Sequence, residues 1–210
     1  MARLVYGVGV NDSNYLVEVR KRESGKNKVV WFCPLFRKWK DMLKRCYSEK
    51  FLETKPTYRG CTVCDEWLTF SNFKSWLELQ DWEGKQLDKD LLVPGNKVYS
   101  PETCCLITPQ LNTFLAFRCT GVFESGVSYY KRVGKYIAQI SVGGKMKGLG
   151  YFDCEQEAHK AWLSAKLEHG LNLIKNKTDA RITDEVIKEV LRPNTVENVS
   201  TRKENRNENR

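Results

Sequence analysis

Histidine is almost missing from this chain: His159 and His169 are the only two among 210 residues. Both fall in one late helical pattern, where a histidine reads as a surface or packing residue rather than a catalytic base. Long apolar runs are missing too. None approaches the roughly 20 residues that a membrane span needs. The opening "MARLVYGVGV" lacks the basic, apolar and cleavage regions of a secretory signal. The eight cysteines follow no dense, regular spacing, which sets aside a disulfide scaffold; reduced thiols in a cytoplasmic protein are expected. Internal repeats are absent. Acid is locally scarce as well. Between Gly126 and Phe152 the charged residues are Lys131, Arg132, Lys135, Lys145 and Lys147, with no carboxylate among them.

What is present indicates a folded, basic chain. A hydrophobic content of 41% and six tryptophans supply a core, and the length allows one large domain or two small ones. A net charge of +9 attracts polyanions, of which nucleic acid is the commonest.

Residues 1–31 hold short apolar or alternating runs, "RLVYGVGV", "YLVEVR" and "KVVWF", separated by the turn-forming "NDSN" and "ESGKN". They predict short strands and a hairpin. In "CPLFRKWKDMLKRCYSEKF", Leu35, Phe36, Trp39, Met42, Leu43 and Cys46 recur at helical spacing behind Pro34. The opposite face carries Arg37, Lys38, Lys40, Lys44 and Arg45. It is either a solvated polar face or a helix lying along a phosphate backbone. A second helix is expected over "DEWLTFSNFKSWLELQ", with its aromatics in the core, and two short helical pieces over "SPETCCLITPQLNTFLAF", broken at Pro109. The 193–210 tail has almost no apolar content and is expected to be disordered.

From Gly121 the chain becomes glycine-punctuated and alternating, which predicts three antiparallel strands. A helix follows, with Asp153 as N-cap, Gly170 as terminator, and Ala158, Ala161, Trp162 and Ala165 on one face. Period-two alternation puts Tyr136, Ala138 and Ile140 toward that helix. Ile137, Gln139 and Ser141 then lie on an open face that can enter a DNA groove. The pieces "SGVSYY", "GKYIAQI", "LGYFD" and "EAHKAW" occur in the order found in the ethylene-response-factor (APETALA-two) type DNA-binding domain, and residues 126–170 resemble it. The resemblance implies a sheet that docks in the major groove. The implied DNA contacts are Ser128, Tyr130, Lys131, Arg132, Lys135, Gln139, Ser141, Lys145 and Lys147. This copy has Ser128 and Ser141 where that family usually has arginines, and Gly148 where it usually has tryptophan.

The stretch "LDKDLLVPGNKVYSPETCCLIT" combines acids on a strand, a turn containing Asn96 and a helix expected from Ser100. A metal-dependent nuclease needs such anionic or amide groups to hold an ion against a phosphate. Together with "FRKWKDMLKRCYS" and "YRGCTVCDEWLTFSNFKSW" upstream and "TPQLN" downstream, it resembles the phage HNH (His-Me finger) endonucleases whose core reads roughly "LDRIDxxGNYSPENCRWAT". Lys89 stands where other members carry the histidine base, and Thr103 replaces the last asparagine of the motif. The resemblance implies Asp88, Lys89 and Asp90 as catalytic residues, with Lys89 as an electrostatic stabiliser. It implies Asp88, Asp90, Asn96 and Asn112 as ligands of Mg²⁺ or Mn²⁺. A structural Zn²⁺ on the Cys61–Cys64 pair and the Cys104–Cys105 doublet is the lesser reading; buried, reduced cysteines are preferred.

The expected architecture is therefore α+β. It comprises N-terminal strands at 1–31, a ββα-metal-like nuclease core at 32–118 and a three-stranded antiparallel sheet packed on one helix at 121–172. The expected function is a homing-type endonuclease that hydrolyses duplex DNA with a divalent metal. Two alternatives are a catalytically silent DNA-binding regulator and a phage protein that blocks a host protein.

Overall fold

The computed structural model describes residues 4–116, 123–175 and 179–191; the expected disordered tail at 193–210 lies outside them. The chain is α+β and divides into two compact units, Met1–Pro109 and Gln110–Arg210. Among the described residues, no helix is long and apolar enough to cross a membrane.

The first unit begins with the antiparallel hairpin β1 (Glu18–Glu23) and β2 (Lys26–Phe32). Ser24 (φ 49°) and Gly25 (φ 77°) close it, the left-handed pair that a tight two-residue hairpin turn requires. Helix α1 (Pro34–Tyr47) buries Phe36, Trp39, Met42, Leu43 and Cys46, the stripe its spacing predicts. Then come α2 (Glu49–Thr54), β3 (Thr62–Val63), a 3₁₀ turn at Asp65–Leu68 and α3 (Phe70–Glu78). The expected second helix is thus a 3₁₀ turn followed by an α-helix. Its aromatics are core as expected: Trp67, Phe70 and Phe73 are buried and Trp76 packs beside them. Phe36 meets Phe70 edge-on at 5.0 Å and Trp67 meets Phe73 at 5.1 Å, the T-shaped geometry that aromatic quadrupoles favour. The buried Trp39 indole N–H donates to the Trp67 carbonyl at 2.7 Å, which joins α1 to the 3₁₀ turn.

Three short strands complete this unit: β4 (Gln86–Asp88), β5 (Val98–Tyr99) and β6 (Cys105–Ile107). β3 pairs with β5 in parallel, and β4 pairs with β6 antiparallel, with Asp88 opposite Cys105. The helix expected from Ser100 does not form. Cys105, Leu106 and Ile107 are all buried, and an apolar run hidden on both faces is served by a paired strand rather than a one-sided helix. Thr103 Oγ1 donates to the Val98 carbonyl at 2.8 Å and lies 3.1 Å from Ser100 Oγ, closing a turn in place of a helical start. The helix, α4 (Pro109–Leu115), begins at the proline instead, and the boundary between the units falls after its first residue.

The second unit contains the antiparallel sheet β7 (Val127–Tyr130), β8 (Lys135–Val142) and β9 (Lys145–Phe152), in that order, then α5 (Glu155–Ile174) and α6 (Asp184–Leu191). Ala138 and Ile140 from β8 and Ala158 and Trp162 from α5 are its buried centre, so the helix covers one sheet face. Gly126 has φ 75°, and a Cβ there would lie 1.9 Å from the Trp162 ring, so the turn into β7 accepts no side chain. Two expectations for α5 are corrected. Its N-cap is Cys154, without a side-chain capping bond, and Asp153 pairs with Lys135 at 3.0 Å instead. Gly170 does not end the helix, which continues to Ile174. A Cβ at Gly170 would lie 2.8 Å from the Phe114 ring, so the residue is small to let α4 approach.

Candidate nucleic-acid interface and acidic strand end

The acidic strand end is built by the turn after β4. Asp88 Oδ1 accepts the backbone N–H of Asp90 at 2.9 Å and of Leu91 at 2.7 Å. That side chain holds the chain's change of direction. Burial raises the Asp88 carboxyl above the ordinary aspartate value; the two N–H donors oppose this, the nearby Asp90 adds to it, and Lys89 offsets it. Lys89 is 6% exposed. Its ammonium donates to Asp90 Oδ1 and to the Asn96 carbonyl, the latter at 2.7 Å. Asn96 returns the contact: its amide nitrogen donates to the carbonyls of Lys89 (2.9 Å) and Val98 (2.7 Å), and its Oδ1 accepts Val98 N–H at 3.0 Å. Asp88, Lys89, Asp90 and Asn96 are thus brought together in one turn, with Lys89 and Asn96 bracing the loop. Asn112 stands on α4 in the other unit.

The basic face of α1 is neither fully solvated nor open. Lys38 donates to the Lys85 carbonyl, and Arg45 donates to the Leu87 carbonyl at 3.2 Å, so two of its cations hold the segment that leads to Asp88. Burial lowers the Lys38 pKa, and the neighbouring Arg45 adds to this. Arg37 and Lys40 lie over the Phe32 ring and Lys44 over Phe51. Position beside β4 makes Arg45 a candidate site residue that the helical pattern alone did not single out.

In the second unit, the strand register defines the open sheet face. Ser128 lies opposite Ile137 and Tyr130 opposite Lys135 on one side; Ile137 is opposite Tyr151, Gln139 opposite Gly148 and Ser141 opposite Met146 on the other. Directly paired residues share a face. The face away from α5 therefore presents Ser128, Tyr130, Gln139 and Ser141, as expected, together with Lys135, Ile137, Met146 and Tyr151. Tyr130 and Tyr151 hold their rings 5.9 Å apart. Lys131 and Arg132 are exposed in the β7–β8 turn. A bulge in β9 intervenes between Gly150 and Gly148. It reverses the alternation, so Lys145 and Lys147 register with Val142 and Ile140 on the helix side, at an end where Val142 is 38% exposed. Simple alternation would put these lysines beside Tyr151.

No family model, curated protein or solved structure matches this chain. The chemistry of the site is therefore read from its own residues.

The donors left at the acidic strand end are few. Oδ1 of Asp88 is held by the turn and Oδ1 of Asp90 by Lys89, which leaves one outer oxygen on each. Two carboxylates meet the demand of Mg²⁺, which keeps several waters and takes its remaining ligands from a substrate phosphate. Asn96 fits less well, because its amide is occupied by backbone. Among the described residues, no three His, Cys, Asp or Glu side chains form a metal-holding group. Cys61, Cys104 and Cys105 are buried and Cys64 partly so, and the described cysteines form no disulfide with each other. Burial pushes the Cys46 and Cys104 thiols up to about 12, as for thiols packed in apolar surroundings. The histidines make packing contacts. His159 donates from Nδ1 to the Ser125 carbonyl at 3.0 Å and stacks on Trp162, and His169 meets Phe114 edge-on.

Proposed function

We propose that this chain is a DNA endonuclease of the phage HNH type, in which the second unit docks on duplex DNA and the first hydrolyses a phosphodiester with Mg²⁺ or Mn²⁺. The observation that carries the docking half is the open sheet face. It joins hydrogen-bonding groups suited to base edges (Ser128, Gln139, Ser141) with the Tyr130–Tyr151 pair, and the carboxylate that reaches it, Asp153, lies at its edge on Lys135. Lys131 and Arg132 at its rim supply phosphate contact. The hydrolytic half is supported by the Asp88–Asp90 pair at the end of β4, followed in the chain by β5, β6 and α4. A divalent ion bound there would polarise the phosphoryl oxygen and acidify a water. Asp88 and Asp90 would hold it, while Lys89, fixed by Asn96, would offset charge on the phosphate. Duplex binding without metal, measured by anisotropy, followed by nicking on addition of Mg²⁺ or Mn²⁺, tests both halves. Failure to bind removes the docking half, and binding without nicking removes the hydrolytic half.

A second reading, a catalytically silent DNA-binding regulator, is favoured by one observation. Lys89 and Asn96 spend their hydrogen bonds inside the turn, as residues of a scaffold do. That reading predicts salt-dependent duplex binding with either metal and no strand cleavage.

A further inference from the structure

The β1–β2 hairpin is the part of the first unit that neither half of this function uses. From Arg20 to Trp31 every residue is exposed, so both faces of the ribbon meet solvent. Val29, Val30 and Trp31 are each nearly half exposed. A two-stranded ribbon with no face packed is marginal alone in water. Its charge is one-sided: Arg20, Lys21, Arg22, Lys26 and Lys28 against Glu18 and Glu23. Arg20 pairs with Glu18 and Lys28 with Glu23, and Lys21, Arg22 and Lys26 make no ion pair among the described residues. The register sets Lys21 directly opposite Lys28, a like-charge pair that costs the isolated ribbon stability and that a polyanion would relieve.

We infer that this hairpin is a second DNA-docking element, a basic arm that lies in a groove of the duplex. The inference rests on the DNA-binding reading above but concerns a different surface. Two strands about 4.8 Å apart form a ribbon that a major groove about 12 Å wide admits. Lys21, Lys26 and Lys28 share one face with Trp31, and Arg20 and Arg22 share the other with Val29. Cations therefore point to the phosphates on both walls of the groove. The exposed valines and Trp31 give the floor apolar contact of the kind a thymine methyl accepts.

The test uses the full chain and a labelled duplex, with the dissociation constant measured across a salt series. Each phosphate contact contributes about 0.9 to the slope of log affinity against log salt. The triple variant Lys21→Ala, Arg22→Ala, Lys26→Ala is expected to lower that slope by about 2 to 3. The glutamine triple at the same positions, which keeps side-chain length, is expected to match it, with circular dichroism unchanged in both. An unaltered slope in the triples, while the wild type binds, overturns the arm and leaves the sheet reading standing. A wild-type chain that binds no duplex overturns both.

Discussion

Asp88 and Asp90 sit two residues apart and do different work. Asp88 caps a turn through one oxygen and is partly buried; Asp90 is exposed, with 56% of its side chain open to solvent. Asp88→Ala is expected to cost about 1–2 kcal/mol, the usual loss for a side chain that caps backbone donors. Asp90→Ala should cost about 1 kcal/mol, because its exposed carboxylate is the counter-charge of the buried Lys89 ammonium. Lys89→Ala should cost about 1–3 kcal/mol, because it strips the Asn96 carbonyl of its buried donor. Urea midpoints on the three variants check this order. Asp88 also carries a pH signature. Its folded pKa is raised, so the folded state favours the protonated form. The stability it contributes is full below the ordinary aspartate value and is lost as pH rises through the raised folded value. Asp88→Asn keeps an oxygen acceptor for the turn and is expected to flatten that decline. An Asp88→Asn stability profile as steep as wild type over this window would contradict the burial account.

At the scale of elements, the sheet shows what alternation can and cannot specify. Under the proposed docking, Gln139→Ala and Tyr151→Ala are expected to weaken duplex binding about tenfold each, a loss of about 1.4 kcal/mol. Lys145→Ala and Lys147→Ala, which register on the helix side, should lower the salt slope by no more than about 1 each and leave sequence preference unchanged. Anisotropy titrations against two unrelated duplexes separate these outcomes. Gly126→Ala is expected to destabilise the second unit by at least about 2 kcal/mol, since it adds a clash with Trp162 to a left-handed backbone; thermal melting measures it. The buried stripe of α1, the strand pattern of the sheet and the buried aromatics of α3 were legible because period and apolarity agree there. The β9 bulge was not: Gly148 and Gly150 flank it, but glycine inside a strand suits a bend or a close approach as well as a bulge, and the extra residue reverses the face of every residue beyond it. The turn at Ser100 read as a helix start because serine followed by proline suits either. Burial of Cys105–Ile107 on both faces, a tertiary fact, decides for strand. Gly170 read as a terminator for the same kind of reason: a glycine chosen for close packing looks the same in sequence as one chosen for a helix end.

At the scale of the molecule, the candidate site was legible as a segment but not as a geometry. The string from Leu87 to Cys104 placed Asp88, Lys89, Asp90 and Asn96 within one loop, and they do meet there. Which of their atoms remain for a ligand depends on backbone hydrogen bonds that no spacing rule encodes. Arg45 reaches the same strand from α1 across more than forty residues of chain. The proposed function would set the open sheet face, the acidic strand end and the hairpin to work together on duplex DNA, and its central claim is strand cleavage without a core histidine. Conversion of supercoiled plasmid to the nicked form, with Mg²⁺ and with Mn²⁺, tests that claim most directly when wild type is set beside Asp90→Ala. The proposed function predicts nicking by wild type that needs the ion and falls at least tenfold in the variant, with the fold unchanged. Intact plasmid with wild type under both ions, despite measured duplex binding, would contradict it and leave a DNA-binding protein.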